Sequence, residues 1–258
     1  MVNGTGIRYL PCGICDRAEG VKCLYTMRDI GRGCDFSMAL HTGEDSECIL
    51  SNRRELENCF PRGSRFVSVR QVHGSDIYIV SEKMEMGWRS LDDTVEADAI
   101  VTNLPGVVLT VLTADCVPVL LYDPVAGVVS AIHAGWRGSD SGIVRKCIEK
   151  ICDIYGSVAS DIVASIGPSI RGCCYEVGED VASRFADYGS ALSRSDRGGY
   201  MLDLSEVNRI QMMESGVLDE NIFLDGVCTA CGGDGFFSYR ADDGCSGRFA
   251  GSISLLER

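Results

Sequence analysis

Long apolar runs identify the centre of this chain as the part that forms buried strands. Residues 107–112 are almost continuously apolar, and residues 128–132 repeat the pattern after a turn that contains proline and glycine. Strands covered on both faces carry such uninterrupted runs, whereas strands covered on one face alternate. The sequence therefore predicts buried strands at 107–112 and 128–132 and further strands at 119–122 and 162–166, with Pro118 weakening the ladder locally.

Residues 66–80 alternate between apolar and polar positions, which is typical of strands with one covered face. The segment Gly74-Ser75-Asp76 resembles a turn, so the pattern predicts a β-hairpin with His73 at its tip. Residues 84–96 are acidic and irregular, and we predict a surface loop there.

Helical signals flank these strands. The pattern predicts one helix over 46–59 and another that begins with a cap among Ser139, Asp140 and Ser141. The apolar face of the second helix is predicted to contain Ile143, Cys147, Ile151 and Ile154. Further helices are predicted at 179–188 and 205–215, and further strands at 222–227, 236–240 and 248–255.

The composition is that of one ordinary folded domain. The chain has 258 residues, of which 45% are hydrophobic and 24% charged, so it can bury a substantial core and is not expected to be disordered. No apolar segment approaches the roughly 20 residues that cross a bilayer, and no export signal begins the chain. We therefore expect a cytoplasmic protein that keeps its fourteen cysteines reduced.

The net charge argues against two classes of partner. The formal charge is −13 and the pI is near 4.7, so nucleic acid and anionic membrane surfaces are repelled overall. A local basic pocket for a single phosphate remains compatible with this charge.

Histidine and cysteine positions suggest a metal centre. The chain has three histidines, and two of them, His73 and His133, flank Cys116 at the end of an apolar run. Two imidazoles and one thiolate form a three-ligand zinc set that leaves the fourth tetrahedral position open, as in catalytic sites. The third histidine, His41, is a candidate fourth ligand or substrate contact, or a hydrogen-bonded loop residue.

Two short cysteine motifs lie near opposite ends of the chain. They are Cys12-Gly13-Ile14-Cys15 and Cys228-Thr229-Ala230-Cys231. A composite four-thiolate site would require the two ends to meet. The alternative is that these thiols are small apolar side chains.

A glycine-rich segment follows His133. Gly135-Trp136-Arg137-Gly138 precedes a predicted helix, and such a turn offers unpaired N–H groups and the positive end of the helix dipole. This favours an anion site with Arg137 nearby, although an ordinary strand-to-helix connection fits the same residues.

Eight motifs, taken together and in this order, resemble the YfiH family, whose older label is multicopper polyphenol oxidoreductase laccase. The resemblance spans roughly residues 24–256. The motifs are Gln71-Val72-His73-Gly74, Ala97-Asp98-Ala99-Ile100-Val101-Thr102, Thr113-Ala114-Asp115-Cys116-Val117-Pro118, His133-Ala134-Gly135-Trp136-Arg137-Gly138, Gly167-Pro168-Ser169-Ile170, Cys174-Tyr175-Glu176-Val177-Gly178, Cys228-Thr229-Ala230-Cys231 and Phe236-Phe237-Ser238-Tyr239-Arg240.

This resemblance implies a fold, a metal and an activity. The fold is an α/β (α+β) layered sandwich of mixed sheets flanked by helices, with residues 1–23 as an N-terminal extension and 24–258 as one catalytic domain. The implied metal is one zinc ion on His73, Cys116 and His133. The implied activity is phosphorolysis of adenosine, inosine and S-methyl-5′-thioadenosine, with adenosine deamination, so the implied partners are purine nucleosides and phosphate.

The same chemistry needs proton transfer and phosphate binding. Asp115 and Glu176 are the candidate general acids or bases, because each lies in a motif assigned to the pocket. Arg28, Arg53 and Arg137 are the candidate phosphate ligands, because planar guanidinium groups match phosphate oxygens.

Three other functions fit the same residues. A cysteine hydrolase would use Cys116 as nucleophile and His133 or His73 as base. A copper-dependent polyphenol oxidase would need copper; three histidines are too few for a multicopper centre, but a loosely bound copper ion that gives weak oxidation is left open. A non-enzymatic protein with structural zinc would need a fourth protein ligand, such as His41 or a cysteine. The sequence leaves monomer and homodimer open.

Overall fold

The computed structural model describes residues 6–196, 198–244 and 247–257. In chain order, the strands are β1 (Tyr9–Pro11), β2 (Val21–Thr26), β3 (Arg65–Ser68), β4 (Ile77–Ile79), β5 (Ala99–Thr102), β6 (Val107–Thr113), β7 (Val117–Asp123), β8 (Val128–Ala134), β9 (Val163–Ile166), β10 (Glu176–Val177), β11 (Leu192–Arg194), β12 (Tyr200–Leu202), β13 (Ile222–Leu224) and β14 (Phe249–Leu255). The α-helices are α1 (Ile14–Arg17), α2 (Ser46–Glu57), α3 (Trp136–Asp140), α4 (Ile143–Tyr155), α5 (Glu179–Ala182) and α6 (Leu204–Glu214). Short 3₁₀ segments cover Gly33–Phe36, Ala159–Asp161, Ser183–Ala191 and Asp219–Asn221.

Two large mixed sheets form the centre of the molecule. One has the order β1-β2-β14-β6-β3, and the other has the order β13-β9-β7-β8-β5-β4. The pairs β3–β6, β4–β5 and β9–β13 are parallel, and the remaining pairs of these two sheets are antiparallel. A third, small sheet has the order β10-β12-β11. The sheets are therefore mixed, as the resemblance implied.

Apolar side chains fill the space between the two large sheets. The five-stranded sheet contributes Val67, Leu109, Val111 and Ile253, and the six-stranded sheet contributes Ile100, Leu120, Val129, Ala131 and Val163. The outer face of the six-stranded sheet packs on α4 and α6, and the outer face of the five-stranded sheet packs on α2. The predicted layered sandwich flanked by helices is confirmed.

The uninterrupted apolar runs form strands that are buried along their whole length. Every residue of β6, β7, β8 and β9 is buried. Pro118 lies inside β7 and pairs with His133, so the strand begins before the proline. The four strands predicted here are confirmed with small shifts at their ends, and burial extends to β7 and β9 as well as to the two strands for which it was predicted.

The predicted hairpin at residues 66–80 is wrong. β3 pairs with β6 in the five-stranded sheet, whereas β4 pairs with β5 in the six-stranded sheet. Residues 69–76 therefore link the two sheets and do not form a tight turn. Apolar and polar residues do alternate here, but each strand pairs in parallel with a strand later in the chain.

Two segments that the sequence placed outside the core contribute to it. Cys12 and Ile14, in the predicted N-terminal extension, are fully buried, and β2 runs across the predicted boundary at residue 24. Trp88, in the predicted surface loop, is also fully buried and stacks on Phe66 with ring centroids 4.7 Å apart. Aromatic and cysteine burial outweighs the acidic neighbours in these segments.

The helix predictions agree with the structure except near their ends. α2 and α6 lie close to their predicted ranges, whereas the predicted helix at 179–188 is short α5 followed by 3₁₀ turns. α4 is not capped among residues 139–141, because those residues lie at the end of α3 and just beyond it, and its cap is Gly142 with φ +70°. Ile154 is 47% exposed and does not belong to the apolar face.

The predicted strand at 236–240 is also wrong. These residues form turns beside β14, and Phe236 and Phe237 are buried there without strand pairing. No helix of the described residues is both long and apolar enough to cross a membrane.

Asp225, which follows β13, gives a stability prediction. Burial raises the pKa of its carboxyl to about 7, and its Oδ2 atom has no hydrogen-bond partner among the described residues. Between about pH 4 and pH 7 the folded state therefore binds more protons than the unfolded state, so stability falls as pH rises. We expect Asp225→Asn to be stabilising, with a gain that grows by about 2 kcal/mol from pH 5 to pH 8.

Urea unfolding at the two pH values measures this gain. Asp153→Asn, on the exposed side of α4, is the control and should change stability equally at both. A gain that does not depend on pH would contradict the argument.

Candidate metal centre and substrate pocket

Three chain segments bring His73, Cys116 and His133 together at one end of the two sheets. Cys116 lies in the crossing from β6 to β7, which belong to different sheets, and His133 lies near the end of β8 beside it. His73 comes from the link between β3 and β4, which also joins the sheets. One ligand atom from each of the three side chains lies within 4.8 Å of the others. The predicted convergence of these residues is present.

The link that carries His73 is held at two points. The side-chain amide of Gln71 pairs with the backbone of Leu112 on β6, at 2.7 Å and 2.8 Å. Beyond it, the backbone N–H groups of Val72, His73 and Gly74 all donate to the carboxylate of Asp98. His73 has φ +60°, a conformation that an L-residue adopts only when its surroundings hold it.

Asp98 also orients His133. Its Oδ1 atom lies 2.8 Å from His133 Nδ1, and its side chain is fully buried. Asp98 accepts from the imidazole Nδ1–H, which leaves Nε2 of His133 for a ligand. The rings of His73 and His133 are nearly perpendicular, with centroids 4.9 Å apart. One buried carboxylate thus positions both histidines of the group.

The electrostatics favour a thiolate at Cys116. Burial acts to raise its pKa, but His133 and His73 outweigh burial and lower the pKa to about 6. Burial acts to lower the pKa of His133, but Cys116 and Asp98 outweigh it and raise the pKa to about 9. Against the effect of burial, His133 and the backbone donors lower the pKa of Asp98. The deprotonated sulfur is the form that binds metals and attacks electrophiles.

Gly135 lies against His73 and Cys116 and leaves space beside them because it has no side chain. A Cβ atom at this position would lie 3.0 Å from His73 Cδ2 and 3.2 Å from Cys116 Sγ. A side chain at this position would therefore press on the His73 ring and on the Cys116 sulfur. The donor set, its spacing and this clearance fit a metal ion held by two imidazole nitrogens and one thiolate.

His41 is not a member of the ligand group. Among the described residues the group contains His73, Cys116 and His133, and no fourth histidine, cysteine or carboxylate. A fully closed structural site needs that fourth ligand, whereas an open position suits catalysis. His41 lies instead on the wall of the adjoining pocket.

The pocket in front of His73, Cys116 and His133 has a volume of about 750 Å³. That volume lies within the usual range for small-molecule sites. Besides these three residues, its wall includes His41, Arg53, Gln71, Leu112, Asp115, Trp136, Arg137, Ile170, Tyr175, Tyr239, Arg240 and Arg248. The wall therefore combines aromatic and apolar surface with several cationic groups.

Asp115 lines this pocket, but both of its carboxylate oxygens are engaged. Thr229 Oγ1 donates to Oδ1 at 2.6 Å, and the backbone N–H of Arg240 donates to Oδ2 at 2.7 Å. Its backbone oxygen accepts from Ile170 N–H at 2.9 Å. Asp115, with φ +89°, therefore joins three loops around the pocket.

Two of the other predicted residues lie away from the pocket. Glu176 is not among the described lining residues, and its carboxylate accepts from Ser195 Oγ at 2.7 Å in the small sheet. Arg28 forms ion pairs with Asp35 and Asp242 and is likewise absent from the described lining. Neither position suits the role that the sequence suggested.

Arg53 and Arg137 do line the pocket, but in different ways. Arg53 is 1% exposed, and its guanidinium donates to the backbone oxygens of Met38, Gly87 and Trp88. Its donors are used to hold the wall together. Arg137 is exposed and lies over the Trp136 ring, with Cζ 4.4 Å from the ring centroid.

Sequence reasoning missed Asp98, Arg248, Tyr175 and Arg240 as site residues. Three of them were inside quoted motifs, so position in a motif was the available signal. Arg248 had no such signal, because β14 returns from the end of the chain to place it beside His41 and Cys116.

The chain is similar to proteins of a known family. The family model described as multi-copper polyphenol oxidoreductase laccase matches residues 13–256. A protein of Geobacillus stearothermophilus named purine nucleoside phosphorylase YlmD is 35% identical over 262 residues, covering 96% of this chain and 95% of that protein. A protein from an unknown prokaryotic organism named adenosine deaminase RL5 is 37% identical, covering 86% and 89%. The crystal structure of Bacillus licheniformis hypothetical protein YfiH superposes with a TM-score of 0.86 at 30% identity, covering 91% of this chain and 92% of that one.

Proposed function

This chain belongs to the multi-copper polyphenol oxidoreductase laccase family, and from that membership and the site we propose that it is a zinc-dependent purine nucleoside phosphorylase. Its substrates are adenosine, inosine and S-methyl-5′-thioadenosine, which it converts to the free base and the (methylthio)ribose 1-phosphate. Adenosine deamination is a second activity of the same pocket. The carrying observation is the His73, Cys116 and His133 group, open to a cavity of about 750 Å³. Relatives named purine nucleoside phosphorylase and adenosine deaminase support the choice of reaction.

The ligand chemistry favours zinc over copper. His73 and His133 would each supply an imidazole nitrogen and Cys116 a thiolate, while Asp98 orients both histidines. Zinc bound there would act as a Lewis acid beside the reacting atoms and, for deamination, would acidify a water molecule. A multicopper centre needs many more histidines than the three in the whole sequence.

In phosphorolysis, a phosphate oxygen forms a bond to C1′ of the ribose as the bond from C1′ to the purine nitrogen breaks. The purine leaves with the bonding electron pair and takes up a proton. The protein must hold phosphate against the ribose and keep the purine ring in a fixed orientation. Trp136, Tyr175 and Ile170 offer flat or apolar surface for the purine.

Phosphate is assigned to the end of the pocket that contains His41 and Arg248. Burial lowers the pKa of His41, and the nearby charges of Arg248 and Arg53 lower it further. Burial also lowers the pKa of Arg248. A bound phosphate would offset the repulsion between the Arg248 and Arg53 guanidinium groups and the hydration that Arg248 has lost, and it would favour the protonated form of His41.

We therefore expect Arg248→Gln to raise the KM for phosphate about 10- to 100-fold, since a hydrogen bond to a charged group is worth about 1.5 to 3 kcal/mol. The KM for adenosine should change much less. Arg70→Gln is the matched control, because Arg70 lines the pocket but is exposed and paired with Glu96. If the KM for phosphate and the KM for adenosine rise equally, phosphate does not bind at this end of the pocket.

One observation favours a different enzyme class and needs its own test. The pKa of Cys116 is lowered beside a histidine, which also describes a cysteine hydrolase. A metal-bound thiolate resists alkylation until the metal is chelated, whereas a nucleophilic thiolate reacts at once. We expect iodoacetamide to modify Cys116 only after chelation, as read by peptide mass spectrometry.

Product analysis tests the proposed reaction itself. Metal-quantified protein is incubated with adenosine, with and without phosphate, and the products are separated by chromatography. Adenine and ribose 1-phosphate should appear only with phosphate, and inosine should mark deamination. If adenosine, inosine and methylthioadenosine all remain intact, the proposal that this protein acts on purine nucleosides is wrong.

A further inference from the structure

Four cysteines outside the pocket form a second compact group of sulfur atoms. The Sγ atoms of Cys173, Cys174, Cys228 and Cys231 all lie within 4.8 Å of one another, and those of Cys173 and Cys231 are 3.6 Å apart. Zinc bound to sulfur at about 2.3 Å in a tetrahedron separates its ligand sulfurs by about 3.8 Å. The observed spacing is therefore close to that of a four-thiolate zinc site before any adjustment.

The two segments that carry these cysteines are already joined by backbone pairing. Ser169 N–H donates to Val227 O at 3.3 Å, and Thr229 N–H donates to Ser169 O at 3.0 Å. The first segment follows β9 and the second follows β13, which is the parallel neighbour of β9. The sheet thus brings the two cysteine pairs to the same edge, so a metal would find its ligands largely preorganised.

The turn at Cys228 has the features of a metal-binding loop. Gly232 N–H donates to Cys228 O at 2.8 Å, and the N–H groups of Ala230 and Cys231 face the Cys228 sulfur. A Cβ atom at Gly232 would lie 2.4 Å from Cys228 O, so the tight turn requires glycine. Backbone donors around a sulfur stabilise its thiolate form.

We propose that these four cysteines bind one zinc ion as a structural site separate from the pocket. Four thiolates in a tetrahedron are a closed zinc ligand set. An iron–sulfur cluster places several irons and sulfides between its thiolates and would hold them farther apart. Binding releases the remaining thiol protons to solvent and involves no change of oxidation state.

This group differs from the composite site considered from the sequence. Among the described residues, no candidate metal-binding group combines Cys12 or Cys15 with Cys228 and Cys231. Instead, Cys15 Sγ lies 3.0 Å from Cys23 Sγ beside β2. The second motif lies instead beside the adjacent pair Cys173 and Cys174, and no spacing along the chain predicts this approach.

The zinc ion would hold together two segments that contribute to one wall of the pocket. Ile170 and Tyr175 belong to the first cysteine segment, and the second contains Thr229, which donates to Asp115. Loss of the zinc should loosen both segments and raise the KM for nucleoside without removing the metal from His73, Cys116 and His133. This effect on KM depends on the proposed function, whereas the zinc site itself does not.

Metal analysis of the whole chain tests the site without reference to activity. We expect two zinc ions per chain in the wild type, one in Cys116→Ala and one in the double variant Cys173→Ser with Cys231→Ser. The control Cys152→Ser, a half-buried cysteine on α4, should keep both. Loss of every zinc in Cys116→Ala, or iron in place of zinc, would overturn the proposal.

A measurement on the wild type avoids dependence on the folding of the variants. In the zinc-loaded protein, iodoacetamide should leave all four cysteines unmodified, and chelation should expose them together. Cobalt substituted for zinc should give the intense sulfur-to-metal absorption of a thiolate-rich site, and the double variant should lose it. Modification of Cys173 and Cys231 at equal rates with and without chelator, or a disulfide between members of the group, would contradict the site.

Discussion

The Cys116→Ala variant should lose the metal at His73 and His133 and should lose phosphorolysis by about 1,000-fold. The thiolate is the single anionic member of the ligand group, so its removal leaves two neutral imidazoles with much weaker affinity. Lewis-acid stabilisation of developing charge is worth several kcal/mol, and each 1.36 kcal/mol is tenfold in rate. Metal content and rate of adenine release should be measured on the same preparation.

The matched control is Cys152→Ala, which makes the same change at a half-buried cysteine of α4 and should keep both metal and rate. Two outcomes would contradict the account in different ways. Unchanged activity would show that the thiolate is not needed. Loss of activity with the metal still bound by the two histidines would favour Cys116 as a nucleophile.

Asp98→Asn should lower the affinity for metal about 10- to 100-fold, which is the usual effect of removing a carboxylate that orients a histidine ligand. The amide would present an NH₂ group to donors that now point at a carboxylate, namely the N–H groups of Val72, His73 and Gly74 and the His133 ring. Because those donors would be left partly unsatisfied, we also expect a loss of about 1 to 3 kcal/mol in stability.

Asp123→Asn is the control for metal affinity. Asp123 is also buried, but it lies at the other end of β7. The backbone N–H groups of Val125 and Ala126 both donate to its Oδ1 atom, which asparagine can replace with its amide oxygen. This variant should therefore keep the metal affinity of the wild type, as read by chelator competition. Equal metal affinity in Asp98→Asn and Asp123→Asn would show that Asp98 does not orient the ligands.

The buried strands and the approach of Cys116 to His133 could be predicted because they depend on local patterns. A continuous apolar run identifies a strand buried on both faces wherever it pairs, and β6, β7 and β8 show this. Cys116 and His133 lie at neighbouring ends of such strands, so their approach followed from the turn between β7 and β8.

The rest of the fold and of the candidate site depends on pairing between distant segments, which no local pattern specifies. The alternation around β3 and β4 was read as a hairpin because sequence cannot show that each strand has a different sheet as its partner. For the same reason Asp98 was not expected to hold the loop around His73, 25 residues earlier. The cysteine group of Cys173, Cys174, Cys228 and Cys231 likewise depends on the parallel pairing of β9 with β13.

Charged residues near motifs were the least predictable. Arg28 and Arg53 were reasonable phosphate ligands by residue type, yet Arg28 pairs with two aspartates and Arg53 donates to backbone oxygens. The Glu176 carboxylate accepts from Ser195 Oγ, and Glu176 is not among the described lining residues of the pocket. The interactions of a charged side chain depend on partners that come from elsewhere in the fold. Residue type alone therefore does not assign its role.

The most direct test of the central claim is the rate of ribose 1-phosphate formation from adenosine and phosphate, before and after zinc is removed and restored. Chelator-treated protein should form no ribose 1-phosphate, and zinc should restore the rate in the wild type but not in Cys116→Ala. Full activity of the metal-stripped protein, or no ribose 1-phosphate from zinc-loaded protein, would contradict a zinc-dependent phosphorylase at His73, Cys116 and His133.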